Sequence, residues 1–122
     1  MNDETKHQDL RIRTKKFSLR IIEMFVDLPK NEVAKILGRQ VLRSGTSVGA
    51  NYREGYRARS KPEFISKLGD SLKELEETTY WLELLTESGT VPPPKLAPLL
   101  QETNELTAIL TTIVKRAKSS PS

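Results

Sequence analysis

The sequence predicts an all-α protein, an antiparallel up-and-down four-helix bundle, from three observations. Apolar residues recur at helical spacing in four segments, clear breakers separate those segments, and no strand-like alternation runs through any of them. A chain of 122 residues is long enough to bury one core without a metal or a disulfide, so a single domain over residues 1–122 is expected.

The first helix is expected over about residues 9–28, where Leu10, Phe17, Ile21, Met24, Phe25 and Leu28 share one face and Pro29 ends it. The second, over about 32–58, starts at Asn31 or Glu32 and turns Val33, Ile36, Leu37, Val41 and Val48 inward. A third, over about 61–88, opens on Ser60-Lys61-Pro62-Glu63, whose hydroxyl and carboxylate can each satisfy a free backbone N–H. It carries Phe64, Leu68, Leu72, Leu75 and Leu82 inward, and Gly89 is its left-handed stop. After the stiff turn Val91-Pro92-Pro93-Pro94, a fourth helix over about 95–117 runs on Leu96, Leu99, Leu100, Thr103, Leu106, Leu110, Ile113 and Val114. Pro98 fits that helix in its first turn, where the missing donor costs nothing. Residues 1–8, with the lone His7, and residues 118–122 read as flexible, solvated tails.

Some apolar residues exceed what one bundle needs. Ile12, Leu19, Ile22 and Val26 form a second stripe almost opposite the first on helix one. Tyr80, Trp81 and Leu84 fall outside the inward arc of helix three. Both surfaces point to contact with another copy of the chain, a homo-oligomer.

The inward stripe of helix two turns polar after Leu37, with Gln40, Ser44, Ser47, Asn51 and Glu54 on that face. Buried polar groups need partners, and Ser71, Thr78 and Thr79 of helix three are the candidates. A structural layer that fixes register explains this face better than a ligand pocket.

The chain carries a net charge of +4, unevenly spread. Met1 to Lys61 holds 14 Lys+Arg against 7 Asp+Glu, Pro62 to Val91 holds 2 against 7, and Pro92 to Ser122 holds 4 against 2. The outward face of helix two gathers Lys35, Arg39, Arg43, Arg53 and Arg57, with Arg59 beyond its end. Such a face suits phosphate oxygens and predicts salt-dependent binding with little sequence preference. Tyr52 and Tyr56 are candidates for stacking on bases, and Arg43 is expected to pair with Glu74 or Glu77.

Catalytic and metal chemistry is poorly supplied. Without cysteine there are no disulfides, thiolate ligands or thiol nucleophiles, which sits well with a reducing cytoplasm. A carboxylate di-metal bundle needs Glu-x-x-His pairs, and the only histidine lies in the tail. Gly45-Thr46-Ser47-Val48-Gly49 lacks the lysine of a phosphate loop, and Ser44 and Ser47 have no histidine to activate them. No enzyme activity, cofactor or membrane span is therefore expected.

The run Gln40-Val41-Leu42-Arg43-Ser44-Gly45-Thr46-Ser47-Val48-Gly49-Ala50-Asn51-Tyr52-Arg53-Glu54-Gly55 is followed by Phe64-Ile65-Ser66-Lys67-Leu68 and by Glu74-Leu75-Glu76-Glu77-Thr78-Thr79-Tyr80-Trp81-Leu82-Glu83-Leu84-Leu85. Together these resemble the four-helix-bundle proteins encoded in intervening sequences of bacterial 23S rRNA genes, over about Arg13 to Lys115. The motif positions that match are Gln40, Arg43, Ser44, Ser47, Asn51, Glu54, Glu74 and Glu77. The resemblance implies a left-handed up-and-down bundle, a pentameric ring or barrel, and a role at RNA. In architecture the chain is also similar to the accessory proteins of diversity-generating retroelements, pentameric bundles that bind nucleic acid and a reverse transcriptase. The functional expectation is a non-enzymatic homo-oligomer, pentameric by that resemblance, that binds RNA or DNA through its basic face. The alternative is an oligomeric scaffold for a protein partner, without nucleic-acid contact.

Overall fold

A computed structural model describes the backbone of residues 3–121 and the side chains of residues 9–121. Among the described residues the chain is all-helical, with α1 (Asp3–Val26), α2 (Glu32–Tyr56), α3 (Lys61–Glu87) and α4 (Pro93–Ser119), and no strand. None of these helices is long and apolar enough to cross a membrane.

Local chemistry sets most helix ends. The Asn31 side chain accepts from the Ala34 N–H at 2.9 Å to start α2, and the Ser60 hydroxyl accepts from the Glu63 N–H at 3.2 Å to start α3. The Glu63 carboxylate reaches back one residue further than the usual reciprocal cap, accepting from the Arg59 N–H at 3.2 Å. Gly89, at φ +77°, turns the chain out of α3.

Two helices begin earlier than their apolar periodicity indicates. α1 starts at Asp3, because nothing between Asp3 and Asp9 breaks a helix and acidic residues suit a first turn; the His7 side chain lies outside the described residues. α4 starts at Pro93 and continues to Ser119, so part of the expected C-terminal tail is helical. That start puts Pro98 in the second turn rather than the first. Its ring removes one helical hydrogen bond, to a Pro94 carbonyl that sits on an exposed residue where water can take its place.

The core joins Phe17 and Ile21 of α1, Val41, Val48 and Tyr52 of α2, Leu68, Leu75, Leu82 and Leu85 of α3, and Leu96, Leu106 and Leu110 of α4. α2 packs most extensively on α3, also on α1, while α4 packs on α3 and barely on α1. Small residues let α1 approach α2. Along α1 and the turn that follows it, Thr14, Ile21 and Leu28 meet Gly49, Gly45 and Gly38 in that order. Partners across α2 and α3 also run in opposing order, with Gly55 against Leu68, Val48 against Ser71 and Ser44 against Thr78.

This packing corrects the inward stripe of α2. Val33 and Ile36 are 52% and 53% exposed, while Ala34, Gly38, Gly45, Gly49 and Tyr52 are buried. The face toward α1 is made of residues with almost no side chain, so the arc that is buried lies to one side of the arc that is most apolar.

Candidate nucleic-acid and assembly surfaces

On the outward side of α2, Lys35, Arg39 and Arg53 are exposed, as are Arg57 at its C-cap and Arg59 beyond its end. None of the five has an ion-pair partner among the described residues. Arg43 differs, since its guanidinium meets Glu74 at 3.2 Å and Glu77 at 2.7 Å on α3. The expected strip is thus interrupted: Lys35 and Arg39 form one cluster, Arg53 and Arg57 another, and Arg53 lies 14 positions after Arg39, about 21 Å along the helix. Two concavities between α1 and α2 meet these clusters. One, of about 280 Å³, is bordered by Lys15 and Arg53 over Gly49 and Ala50. The other, of about 570 Å³, has Lys30, Lys35 and Arg39, with the carboxylate of Glu32 among them, around an apolar floor of Phe25, Leu28 and Pro29.

Neither tyrosine offers a free stacking face. Tyr52 is fully buried, and burial pushes its phenol pKa up, so it belongs to the core and not to a base platform. Tyr56 is half-buried, with the Arg11 guanidinium 4.7 Å above its ring. Arg11 escapes sequence reasoning because the cations of α1 are spread around the helix, and only the tertiary pairing with Tyr56 singles it out.

The expected polar layer is largely displaced. Ser44 is buried and its hydroxyl lies 2.8 Å from that of Thr78, while Ser71 donates to the Val48 carbonyl at 2.9 Å. Gln40, Ser47 and Asn51 are only half-buried, Ser47 donating to the Arg43 carbonyl of its own helix. Glu54 is exposed and pairs with Lys67 at 2.9 Å, a hydrogen bond that raises the lysine pKa. Thr79 bonds its own helix at Leu75. The buried polar residues are instead Thr14, Ser44, Ser71, Thr78 and Thr103, whose small hydroxyls are satisfied in place by backbone carbonyls or by each other.

The surplus apolar residues stand out from the bundle. Ile12, Leu19, Ile22, Val26 and Tyr80 are exposed, whereas Trp81 and Leu84 are half-buried. Tyr80 meets Trp81 edge to face at 5.0 Å, and the buried Trp81 Nε1 has no hydrogen-bond partner among the described residues.

A family model described as 23S rRNA-intervening sequence protein matches residues 6–112. A 1.70 Å crystal structure of a protein with unknown function from the S23 ribosomal protein family of Bacteroides thetaiotaomicron VPI-5482 is similar at 34% identity and a TM-score of 0.84, over 90% of this chain and 98% of that one. No curated protein matches.

Proposed function

The chain belongs to the 23S rRNA-intervening sequence protein family, and from that premise we propose that it is a non-enzymatic, homo-oligomeric, cytoplasmic protein that binds RNA through the outward basic face of α2. The observation that carries this reading is the pair of clusters Lys35–Arg39 and Arg53–Arg57, exposed and without ion-pair partners among the described residues. Phosphates are the natural counter-charge for arginine forks held on a rigid helix. The subunit is one domain, an antiparallel up-and-down bundle; the opposed order of contacts along α1, α2 and α3 supports that arrangement. Assembly of about five copies follows the family resemblance, and the exposed stripe Ile12, Leu19, Ile22 and Val26 supplies apolar surface for it.

The test measures mass in solution by light scattering, with and without a short structured RNA, at low and moderate salt. An oligomer that takes up RNA at low salt and releases it as salt rises is the expected result. Replacing Arg39, Arg53 and Arg57 together by Gln should abolish uptake while leaving mass and helicity unchanged. If residual binding is measurable, the slope of log affinity against log salt should flatten by about 2 to 3 for three lost phosphate contacts. RNA binding that ignores both salt and these substitutions would sink the proposal. An oligomer indifferent to RNA would favour the protein scaffold, a reading for which the Arg43 pairs with Glu74 and Glu77 speak, since there an arginine serves the bundle itself.

A further inference from the structure

The concavity at the turn from α1 to α2 holds more than a phosphate contact requires. Its volume of about 570 Å³ falls in the range of roughly 300 to 1,000 Å³ usual for small-molecule sites. It exists because α2 sets small residues against the end of α1. A Cβ added at Gly38 would lie 3.2 and 3.3 Å from Cδ1 and Cε1 of Phe25, and Ala34 sits one turn before it. One edge of the Phe25 ring thus rests on α2, and the half-buried ring lines the concavity together with Val26, Leu28 and Pro29. Lys30, Lys35 and Arg39 line it too, three exposed cations against the single carboxylate of Glu32, and none of the four has an ion-pair partner among the described residues. The Asn31 side-chain oxygen is taken by the Ala34 N–H, which leaves the amide NH₂ of that exposed residue to donate outward.

We propose that this concavity receives the base of one unpaired nucleotide, packed on Phe25, while Lys30, Lys35 and Arg39 hold the phosphates on either side of it. This rests on the RNA-binding reading above and names the class of RNA: a strand with a bulged or looped-out nucleotide, not an uninterrupted duplex. An apolar, aromatic floor offers nothing to a phosphate, but it suits the face of a base, which a duplex keeps stacked and an unpaired nucleotide exposes. Glu32 repels phosphate, yet its carboxylate accepts from the N–H groups of a base edge, and the Asn31 amide donates to base acceptors. The nucleotide belongs to a strand because Arg53 and Arg57 continue the basic side of α2 from about 21 Å beyond Arg39, farther than one nucleotide reaches. Val26 also ends the exposed apolar stripe of α1, so a copy seated on that stripe borders the concavity, whereas Phe25, Leu28 and Pro29 lie outside the stripe.

The test compares two hairpin RNAs, each with a single-nucleotide bulge, which is a guanosine in one and an abasic residue in the other, so that length and phosphate number are equal. At low salt the parent should bind the guanosine bulge about tenfold or more tightly than the abasic one. Phe25→Leu keeps an aliphatic side chain against Gly38 and removes the ring. It should bring the two affinities together while leaving that for the abasic hairpin unchanged, with circular dichroism confirming intact helices. On the parent, a bulged 4-thiouridine activated by light should crosslink to residues lining the concavity, a readout that needs no variant to fold. Free guanosine monophosphate at the concentration that saturates with hairpin should not displace the RNA; displacement would assign the site to a free nucleotide instead. Equal parent affinities for the two hairpins would overturn the base site and leave the RNA reading standing. Discrimination that survives Phe25→Leu, or crosslinks confined to other surfaces, would overturn its location here. A parent that binds neither hairpin at low salt would sink the RNA reading itself and leave the concavity to an apolar segment of a protein partner.

Discussion

Two glycines in comparable helical settings should respond in opposite ways to the same added methyl group. A Cβ at Gly45 would lie 2.7 Å from Cγ1 and 2.9 Å from Cδ1 of Ile21, a fully buried β-branched side chain with little freedom to move. Gly45→Ala should therefore destabilise the fold by about 1 to 2 kcal/mol, because overpacking exceeds the gain in helix propensity. At Gly69 on exposed α3 surface, no atom lies within 4 Å of the same added carbon, so Gly69→Ala should stabilise by about 0.5 to 1 kcal/mol. Shifts of the denaturant midpoint in opposite directions check both, and a Gly45→Ala chain as stable as the parent would refute the close contact. The same small residues explain where the sequence misleads. Periodicity weighs side chains, and the stripe of α2 against α1 has almost none, so Val33 and Ile36 look inward and Tyr52 looks available when the reverse holds. Arg43 was legible because a run of carboxylates on α3 offered it partners; Arg11 was not, since its ring partner comes from another helix.

Helix ends with a dedicated local signal, Asn31, Ser60 and Gly89, were readable because capping is decided within a few residues. The starts of α1 and α4 were not, since a helix without a breaker continues beyond its last core contact. How α1 and α4 are held together was likewise invisible. Their packing is sparse, and Arg13 closes the seam, donating to Glu102 at 2.8 and 2.7 Å and to Glu105 at 3.1 Å. The hydrogen bond from Arg13 holds the Glu102 carboxyl below its ordinary value, against the opposing effect of burial. A carboxyl depressed in the folded state contributes stability that is present above its unfolded pKa and is lost as pH falls through the folded one. Arg13→Gln should thus cost about 1 kcal/mol at neutral pH, a modest figure because the pair is partly solvated. The difference between parent and variant should shrink as pH drops below about 4, measured as converging denaturation midpoints. A gap that stays constant down to pH 2 would mean that Arg13 acts by packing, not by its charge.

Charge is divided by region, with the basic excess in α1 and α2 and the acidic excess in α3, and this division suits the proposed RNA contact of α2. In a homo-oligomer, each added copy presents another α2 face to the same nucleic acid. Binding to a long RNA then becomes multivalent: once one copy is engaged, the next meets the strand at a raised effective concentration without any new kind of contact. Assembly and RNA affinity are therefore coupled through geometry. Leu19→Ser with Ile22→Ser removes exposed aliphatic surface from α1 while leaving α2 and the net charge untouched. This variant should be monomeric and should bind a long structured RNA at least about tenfold more weakly than the parent. Toward an RNA too short to reach two copies, parent and variant should have the same affinity per chain at matched salt, since one α2 face is all that either can offer. Affinity titrations with the two RNA lengths separate the cases, and equal loss on both would show that Leu19 and Ile22 themselves touch the nucleic acid.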